Sequence, residues 1–266
     1  MRSVLALLRV AWLSAASYRL SLVLSLASLF VAVVPIYFVS GAVQKLAEPS
    51  IRTEGGEYFG FVIVGLCAMT ILSTAAAAIP EAIAGSIGNG TFESLLVTRT
   101  RLPMLLAGLA AYPLLEALVR ALLLVGGAAL IGTKFSWAAM PAVAVIGALL
   151  IVAYGGASLV AAALVLRFRT SGPLLTAVIM GSGLLGGVYY STTVIPGWLQ
   201  SLSGLVPLTY GLRAARRLLM GGGTRAEIMS DVGVLALLAA IAAVVGVLAF
   251  RWAIQHARRA GTLSQY

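Results

Sequence analysis

Residues 102–131 read LPMLLAGLAAYPLLEALVRALLLVGGAALI, an apolar run in which Glu116 and Arg120 are the charged side chains. About 20 apolar residues are enough for a helix to cross the hydrocarbon core of a bilayer. Prolines are tolerated in such a helix because neighbouring helices and water satisfy the freed backbone groups. The run therefore predicts a membrane-spanning helix that carries an i, i+4 pair of opposite charges near mid-bilayer.

The rest of the chain has the same character. Of its 266 residues, 61% are hydrophobic and 10% are charged, whereas a soluble domain carries about 25% charged residues. The mean hydropathy of +1.05 excludes a water-soluble globule, and so much apolar surface excludes disorder. These values indicate an all-α polytopic membrane protein, and the length leaves room for about six spans.

We predict a single transmembrane domain with six spans. An interfacial helix at residues 1–19 precedes the first span, because its apolar and basic side chains fall on different faces. Residues 191–230 form an outer segment before the last span, and residues 255–266 form a basic tail. The predicted spans are residues 20–43, 58–79, 102–131, 137–166, 172–190 and 231–254.

The net charge of +10 is explained by topology, because Lys and Arg collect on the cytoplasmic side of membrane proteins. Arg167 and Arg169 flank the connection between the fourth and fifth spans. This places both termini in the cytoplasm. No nucleic-acid partner is expected.

Missing residues exclude several enzyme classes. His256 is the single histidine and lies in the tail, so a Ser–His intramembrane hydrolase is excluded. Asp231 is the single aspartate, which excludes a two-aspartate protease, and Cys67 is the single cysteine, which excludes a disulfide or a cysteine-based metal site. Neither lysine follows a glycine, so the chain has no Walker A loop for ATP.

Residues 80–101 are predicted as a loop, because Gly85, Gly88 and Gly90 interrupt it. Within this loop, residues 91–97 are predicted to form a short helix that Thr91 caps and that carries an acidic residue in its first turn. Such a capped helix suits docking of a soluble partner. A plain connector is the alternative.

Residues 191–223 are predicted to hold two short helices. Prolines begin both, at residues 196–205 and from Pro207 onward. In the second helix, leucine and alanine side chains recur on one face and three arginines, Arg213, Arg216 and Arg217, lie on the other. The pair forms either a re-entrant hairpin in the outer leaflet or a surface loop that lies on lipid.

Two stretches resemble the type-2 class of ABC-type exporter permeases, the membrane subunits of bacterial drug and polysaccharide exporters. Residues 90–98, GTFESLLVT, resemble that family's Gly-Thr-x-Glu-x-Leu-Leu-x-Thr run, and residues 195–200 and 207–213, IPGWLQ and PLTYGLR, resemble its second signature. The six spans and the N-terminal helix also fit, so the resemblance covers the whole chain. The chain departs from the family pattern at two places. Glu81 is the one charged residue where the family often has a charged run before the first signature, and Val206 stands where the family commonly has Asn.

The resemblance implies a half-transporter that pairs with a second permease copy or a paralogue. A separate ABC ATPase subunit would bind ATP and Mg²⁺, and transport would proceed by alternating access in a bacterial plasma membrane. The implied ATPase-coupling residues are Thr91, Phe92, Glu93, Leu95 and Leu96. The implied outer-gate residues are Pro196, Trp198, Pro207, Tyr210 and Arg213.

Two features of the spans leave alternatives open. Glu116 and Arg120 either line the pathway or dimer interface, or form a structural ion pair within one protomer. Gly183 and Gly187 give the fifth span a small-residue face, which suits either a dimer seam or packing within the protomer.

The expected substrate is a hydrophobic or amphipathic small molecule, such as a drug or lipid-like compound. The chain has no carbohydrate-binding domain, and aromatic residues make up only 8% of it. A polysaccharide or glycolipid exporter is the second possibility. From other classes, an ion-coupled carrier would need Glu116 to titrate, and a non-transporting scaffold would not respond to ATP.

Overall fold

The computed structural model describes residues 19–90, 102–168 and 172–259, and all regular secondary structure in these ranges is helical. The predicted all-α class is confirmed. Short 3-10 turns lie at Arg52–Glu54 and Trp137–Ala139. The α-helices are α1 (Arg19–Ile51), α2 (Tyr58–Gly88), α3 (Leu102–Ile131), α4 (Met140–Phe168), α5 (Gly172–Leu185), α6 (Gly197–Ser203), α7 (Pro207–Met220) and α8 (Arg225–Arg259).

Four helices in the described part of the chain are long and apolar enough to cross a membrane. They correspond to the second, third, fourth and sixth predicted spans. α1 is continuous over 33 residues, whereas α5 is apolar but has only 14 residues, about 21 Å at 1.5 Å per residue. The six-span count and the re-entrant hairpin therefore remain predictions.

Several helix ends and connections meet at one end of the bundle. The Thr133 hydroxyl, between α3 and α4, bonds the Glu57 carboxylate before α2 at 3.0 Å. The Ser136 amide, before α4, donates to the Leu219 carbonyl of α7 at 2.8 Å. We call this the Arg216 end of the bundle, after the α7 residue described below.

The most extensive helix pair is α4 with α8. Its close approach depends on Gly156 and Gly246. A Cβ on Gly156 would lie 2.2 Å from the Ala242 carbonyl oxygen, and one on Gly246 would lie 2.4 Å from the Gly156 carbonyl oxygen. Small residues at such crossings let two helix backbones touch.

α2 extends into the region that the sequence predicts as a loop. We expected residues 80–101 to be irregular, but the helix continues through Pro80 to Gly88. The reason is packing: Ile79, Ile83 and Ile87 recur at i, i+4 and i+8 and contact a cluster formed with α4 and α8. Burial of this stripe outweighs the helix hydrogen bond that proline removes.

The outer loop predicted at residues 44–57 is also partly helical. α1 continues to Ile51, which is buried against Phe61 and Val62 of α2. The Gln44 side chain then fixes the turn that follows, because its amide donates to the Gly56 carbonyl at 2.7 Å and its oxygen accepts from the Tyr58 amide at 2.8 Å.

α8 begins earlier than the predicted residue 231. Thr224 and Glu227 form a capping box, in which the Thr224 hydroxyl accepts from the Glu227 amide and the Glu227 carboxylate accepts from the Thr224 amide at 3.1 Å. This cap starts the helix at Arg225, and the helix runs on to Arg259 rather than stopping at residue 254.

α5 is shorter than the predicted fifth span, which was placed at residues 172–190. It ends at Leu185, and Gly187 follows with a φ of 74°. The carbonyls of Gly187 and Val188 turn toward Arg216 and accept hydrogen bonds from its guanidinium. These carbonyls are therefore not available to continue the helix.

The α4–α8 contact gives a direct test with a matched control in the next residue. Gly156→Ala is expected to lower the free energy of unfolding by about 1–3 kcal/mol, because the added methyl meets backbone that cannot move aside. Gly155→Ala should leave stability unchanged or slightly raised, since nothing lies within 4 Å of a Cβ there. The SDS mole fraction at the unfolding midpoint measures both. Equal effects of the two variants would contradict the proposed contact.

Candidate functional site

A buried guanidinium lies at the centre of the Arg216 end. The Arg216 side chain, on α7, is only 2% exposed and is the largest fully buried side chain in the described residues. α7 points it inward because Leu208, Leu212 and Leu219 on the same helix are buried in the core. An arginine is rarely buried unless it is paired, so its partners define the site.

Arg216 reaches three separate parts of the chain. Its Nη1 donates to the Glu54 carboxylate at 3.2 Å and to the Gly187 carbonyl at 3.0 Å, and Nη2 donates to the Val188 carbonyl at 2.9 Å. Its Nε donates to the Phe61 carbonyl at 3.1 Å, and the guanidinium carbon lies 3.3 Å from the centre of the Phe61 ring. We call these five residues the Arg216 cluster.

The electrostatics of the cluster are those of a buried ion pair. Burial lowers the pKa of Arg216 to about 10, while the Glu54 carboxylate opposes that shift. Arg216 therefore remains protonated at neutral pH. Glu54 is itself only 5% exposed, so each charge depends on the other for compensation.

A second set of charges joins α7 to the start of α8. Arg217 bonds Asp231 at 2.9 Å, and Arg213 approaches the other Asp231 oxygen at 3.9 Å. Arg217 also lies 3.8 Å from Glu227 of the capping box. α7 is thus tied by arginines to α2 and α5 on one side and to α8 on the other.

The predicted outer-gate residues are brought together by α6, α7 and the turns beside them. Pro196 precedes α6, and Pro207 is the first residue of α7. Trp198 is 68% exposed. The Tyr210 hydroxyl donates to the Gly204 carbonyl at 3.0 Å, and its ring lies under Arg213.

Beside these residues lies a small polar cavity of about 230 Å³. Threonine, serine and glutamine side chains line it, together with Glu54, Arg213 and Arg217. The Arg213 guanidinium faces the Thr192 hydroxyl at 3.4 Å within it. The cavity is large enough for water or a small polar group.

Glu116 and Arg120 occupy a different site. They form an ion pair on α3 and line a half-open cavity of about 550 Å³ between α2, α3 and α5, which we call the α3 groove. Glu81 of α2 is its third charged residue, and Ser73 and Thr74 add hydroxyls. The remaining walls are alanine, leucine, proline and isoleucine side chains.

The Glu116–Arg120 pair is not buried within the protomer. The two side chains are 36% and 41% exposed, and Arg120 Nε is buried without a hydrogen-bond partner. The arrangement suits binding rather than catalysis. Within the ranges that the structure describes, no three His, Cys, Asp or Glu side chains cluster as metal ligands would.

Gly183 and Gly187 contact their own chain. A Cβ on Gly183 would lie 3.1 Å from the Met69 methyl of α2, and one on Gly187 would lie 2.7 Å from the Tyr190 carbonyl oxygen. Since α5 ends at Leu185, the two glycines do not form one helical face.

The interfacial helix predicted at residues 1–19 lies almost wholly outside the described residues. The predicted coupling residues lie wholly outside them. These are Thr91, Phe92, Glu93, Leu95 and Leu96.

Sequence reasoning missed the Arg216 cluster. It placed Arg216 on the polar face of an amphipathic helix, but the structure buries it. One signal was available: Glu54 is an acidic residue in a short outer connection, on the side of the membrane where three arginines also fall. No spacing rule joins two residues so far apart in sequence.

Comparison with known proteins identifies one family. A family model described as ABC-2 type transporter matches residues 2–220 of the chain, which is most of its length. No curated protein matches the chain.

The Arg216 cluster is expected to dominate the stability of this end of the bundle. Glu54→Gln leaves the buried guanidinium without its counter-charge and should lower the free energy of unfolding by about 3–5 kcal/mol. Glu48→Gln is the matched control, because Glu48 pairs with Arg52 at 3.9 Å on the surface and should cost less than about 1 kcal/mol. SDS unfolding midpoints measure both. A Glu54→Gln effect no larger than the control would show that the buried pair does not stabilise the fold.

Proposed function

The chain belongs to the ABC-2 type transporter family, and from this we propose that it is the permease subunit of an ABC exporter in a bacterial plasma membrane. Its cargo is a hydrophobic or amphipathic small molecule, and both its termini are cytoplasmic. The observation that carries this proposal is the family match over most of a chain with four helices able to cross a membrane.

Membership of the family implies an ABC ATPase subunit as partner. The chain has no Gly-Lys pair, so ATP and Mg²⁺ are assigned to that separate subunit. We assign its docking to the helix at residues 91–97, with Thr91, Phe92, Glu93, Leu95 and Leu96 as contacts. α2 supports this assignment, because it extends through Pro80 and ends at Gly88, at the bundle end opposite Arg216.

A second permease copy or a paralogue is assigned to the face of α3 that carries Glu116 and Arg120. Charges near the middle of a bilayer cost about 2.5 kcal/mol or more each, so lipid is a poor neighbour for this half-exposed pair. The exposed stretch of α8 suits lipid better, because residues 232–250 contain no charged side chain. The α3 groove then opens onto the dimer interface, where alternating access needs a pathway.

The outer gate is assigned to α6, α7 and the turns that join them to α5. ATP binding would close the two ATPase subunits and open the interface outward past Trp198, Tyr210 and Arg213. Trp198 supports this role by its exposure, and Tyr210 by the hydrogen bond that closes the turn between α6 and α7.

Three other functions are less well supported. A polysaccharide conduit would use an aromatic ladder, and no aromatic side chain lines the α3 groove within the described residues. An ion-coupled carrier would use Glu116 as a titrating carboxylate, but Arg120 holds that carboxylate in an ion pair. A non-transporting scaffold would not need a charged cavity of drug-like size.

The permease assignment is tested by capture of the ATPase. The full chain, purified from its native membranes in mild detergent, should retain a stoichiometric subunit that carries a Walker A motif and hydrolyses ATP. Glu93→Arg and Leu96→Asp should abolish retention, because they replace a carboxylate and an apolar contact of the docking helix. Glu48→Ala, at the opposite end of the bundle, is the control and should retain the ATPase. Absence of any ATPase from folded wild-type protein would refute the proposal.

The dimer assignment is tested by cross-linking from single cysteines in a Cys67→Ala background. Val119→Cys and Leu123→Cys lie on the Glu116–Arg120 face of α3 and should cross-link to a second permease chain in membranes. Val244→Cys on α8 is the control: Val244 is at least as exposed as the two α3 residues, and its cysteine variant should not cross-link. Cross-linking from α8 but not from α3 would assign the interface to the other face.

A further inference from the structure

The α3 groove has an unbalanced charge. Three charged residues line it: Glu81, Glu116 and Arg120. Arg120 donates its Nη2 to Glu116, so these two charges compensate each other. Glu81 forms no ion pair with any side chain in the described ranges, and the described residues that line the groove carry one net negative charge.

Building on the proposed function, we propose that the α3 groove binds cationic amphiphiles, molecules with an apolar body and one positively charged group, and that Glu81 holds the positive charge. Glu81 is exposed where it lines the groove, so a cation can reach its carboxylate, and the apolar helices beside it make the attraction stronger than in bulk water. An anion would meet net repulsion there, because Arg120 is already committed to Glu116.

The walls fit the apolar part of such a ligand. Ala77, Ala78 and Ala82 of α2 face Leu109, Pro113 and Ala117 of α3, with Ile179 of α5 beside them. The volume of about 550 Å³ lies within the range of about 300–1,000 Å³ that is typical of sites for drug-sized ligands. Small alanine side chains leave this space open between the two helices.

The position of Glu81 sets the orientation of the ligand. Glu81 precedes the end of α2 at Gly88 by two turns, about 10 Å, whereas Glu116 and Arg120 lie near the middle of α3. A cationic headgroup at Glu81 would therefore lie close to the end of the bundle opposite Arg216. Its apolar body would extend toward the middle of the groove, as amphiphiles do in a leaflet.

Two probes of nearly the same shape and opposite charge test this inference. Tetraphenylphosphonium and tetraphenylborate are titrated against the full chain in zwitterionic nanodiscs, and binding to empty nanodiscs is subtracted. Saturable binding of the phosphonium cation and none of the borate anion is expected. Equal saturable binding of both ions, or of the anion alone, would overturn the proposal without any variant.

The residue assignment is tested by three variants. Glu81→Gln should weaken phosphonium binding by at least about tenfold, the scale of one charge pair in a partly desolvated site. Glu81→Asp keeps the charge and should restore most of the affinity, while Glu48→Gln, at the other end of the bundle, should not change it. Unchanged binding in a monodisperse Glu81→Gln sample would overturn the role of Glu81.

Retention of the ATPase subunit is measured in the same preparations. Loss of cation binding with the ATPase retained would refute the ligand class and leave the permease assignment standing. Absence of both would refute the two together.

Discussion

Burial of the Arg216 guanidinium is the constraint on which the Arg216 end of the bundle depends. A guanidinium without partners could not remain there, because removing it from water costs several kcal/mol. The Glu54 carboxylate and the carbonyls of Phe61, Gly187 and Val188 offset that cost. The carboxylate and the three carbonyls must therefore be held at fixed positions around the guanidinium. Arg216 thereby joins α7 to Glu54 before α2, to the first turn of α2 and to the segment that follows α5.

The Glu54–Arg216 and Glu116–Arg120 ion pairs have the same chemistry and opposite surroundings. Glu54–Arg216 is enclosed, and each guanidinium nitrogen of Arg216 donates a hydrogen bond, so the pair fixes structure. Glu116–Arg120 is half-exposed beside a cavity and leaves Arg120 Nε unsatisfied, so it is incomplete in the isolated chain. This difference is the reason why we assign the first pair to the scaffold of the protomer and propose the second as part of a surface that meets another molecule.

Much of the fold could be predicted from local sequence, and the tertiary contacts could not. The bounds of α3 follow from its unbroken apolar run, and those of α7 follow from Pro207 and Gly221, because local patterns determine them. The sequence predicts that the second span ends before Pro80, because proline and the glycines after it indicate a loop. The isoleucine stripe that extends α2 to Gly88 has its partners on α4 and α8, which local sequence does not indicate. Arg216 was placed on a polar face because nothing local indicates Glu54. The sequence pairs Glu116 with Arg120 on α3, but it does not indicate that Glu81 lines the same groove, because helix packing brings Glu81 there.

α2 connects the distant parts of the molecule. In its first turn the Phe61 carbonyl accepts a hydrogen bond from Arg216, its middle lines the α3 groove, and its last turns reach Gly88. A continuous helix of 31 residues transmits displacement along its axis far better than a loop would. Because α7 is tied to α2 through Arg216 and to α8 through Arg217, α7 cannot move independently of these two helices. Any motion of the Arg216 end must therefore involve the helix that also carries Glu81.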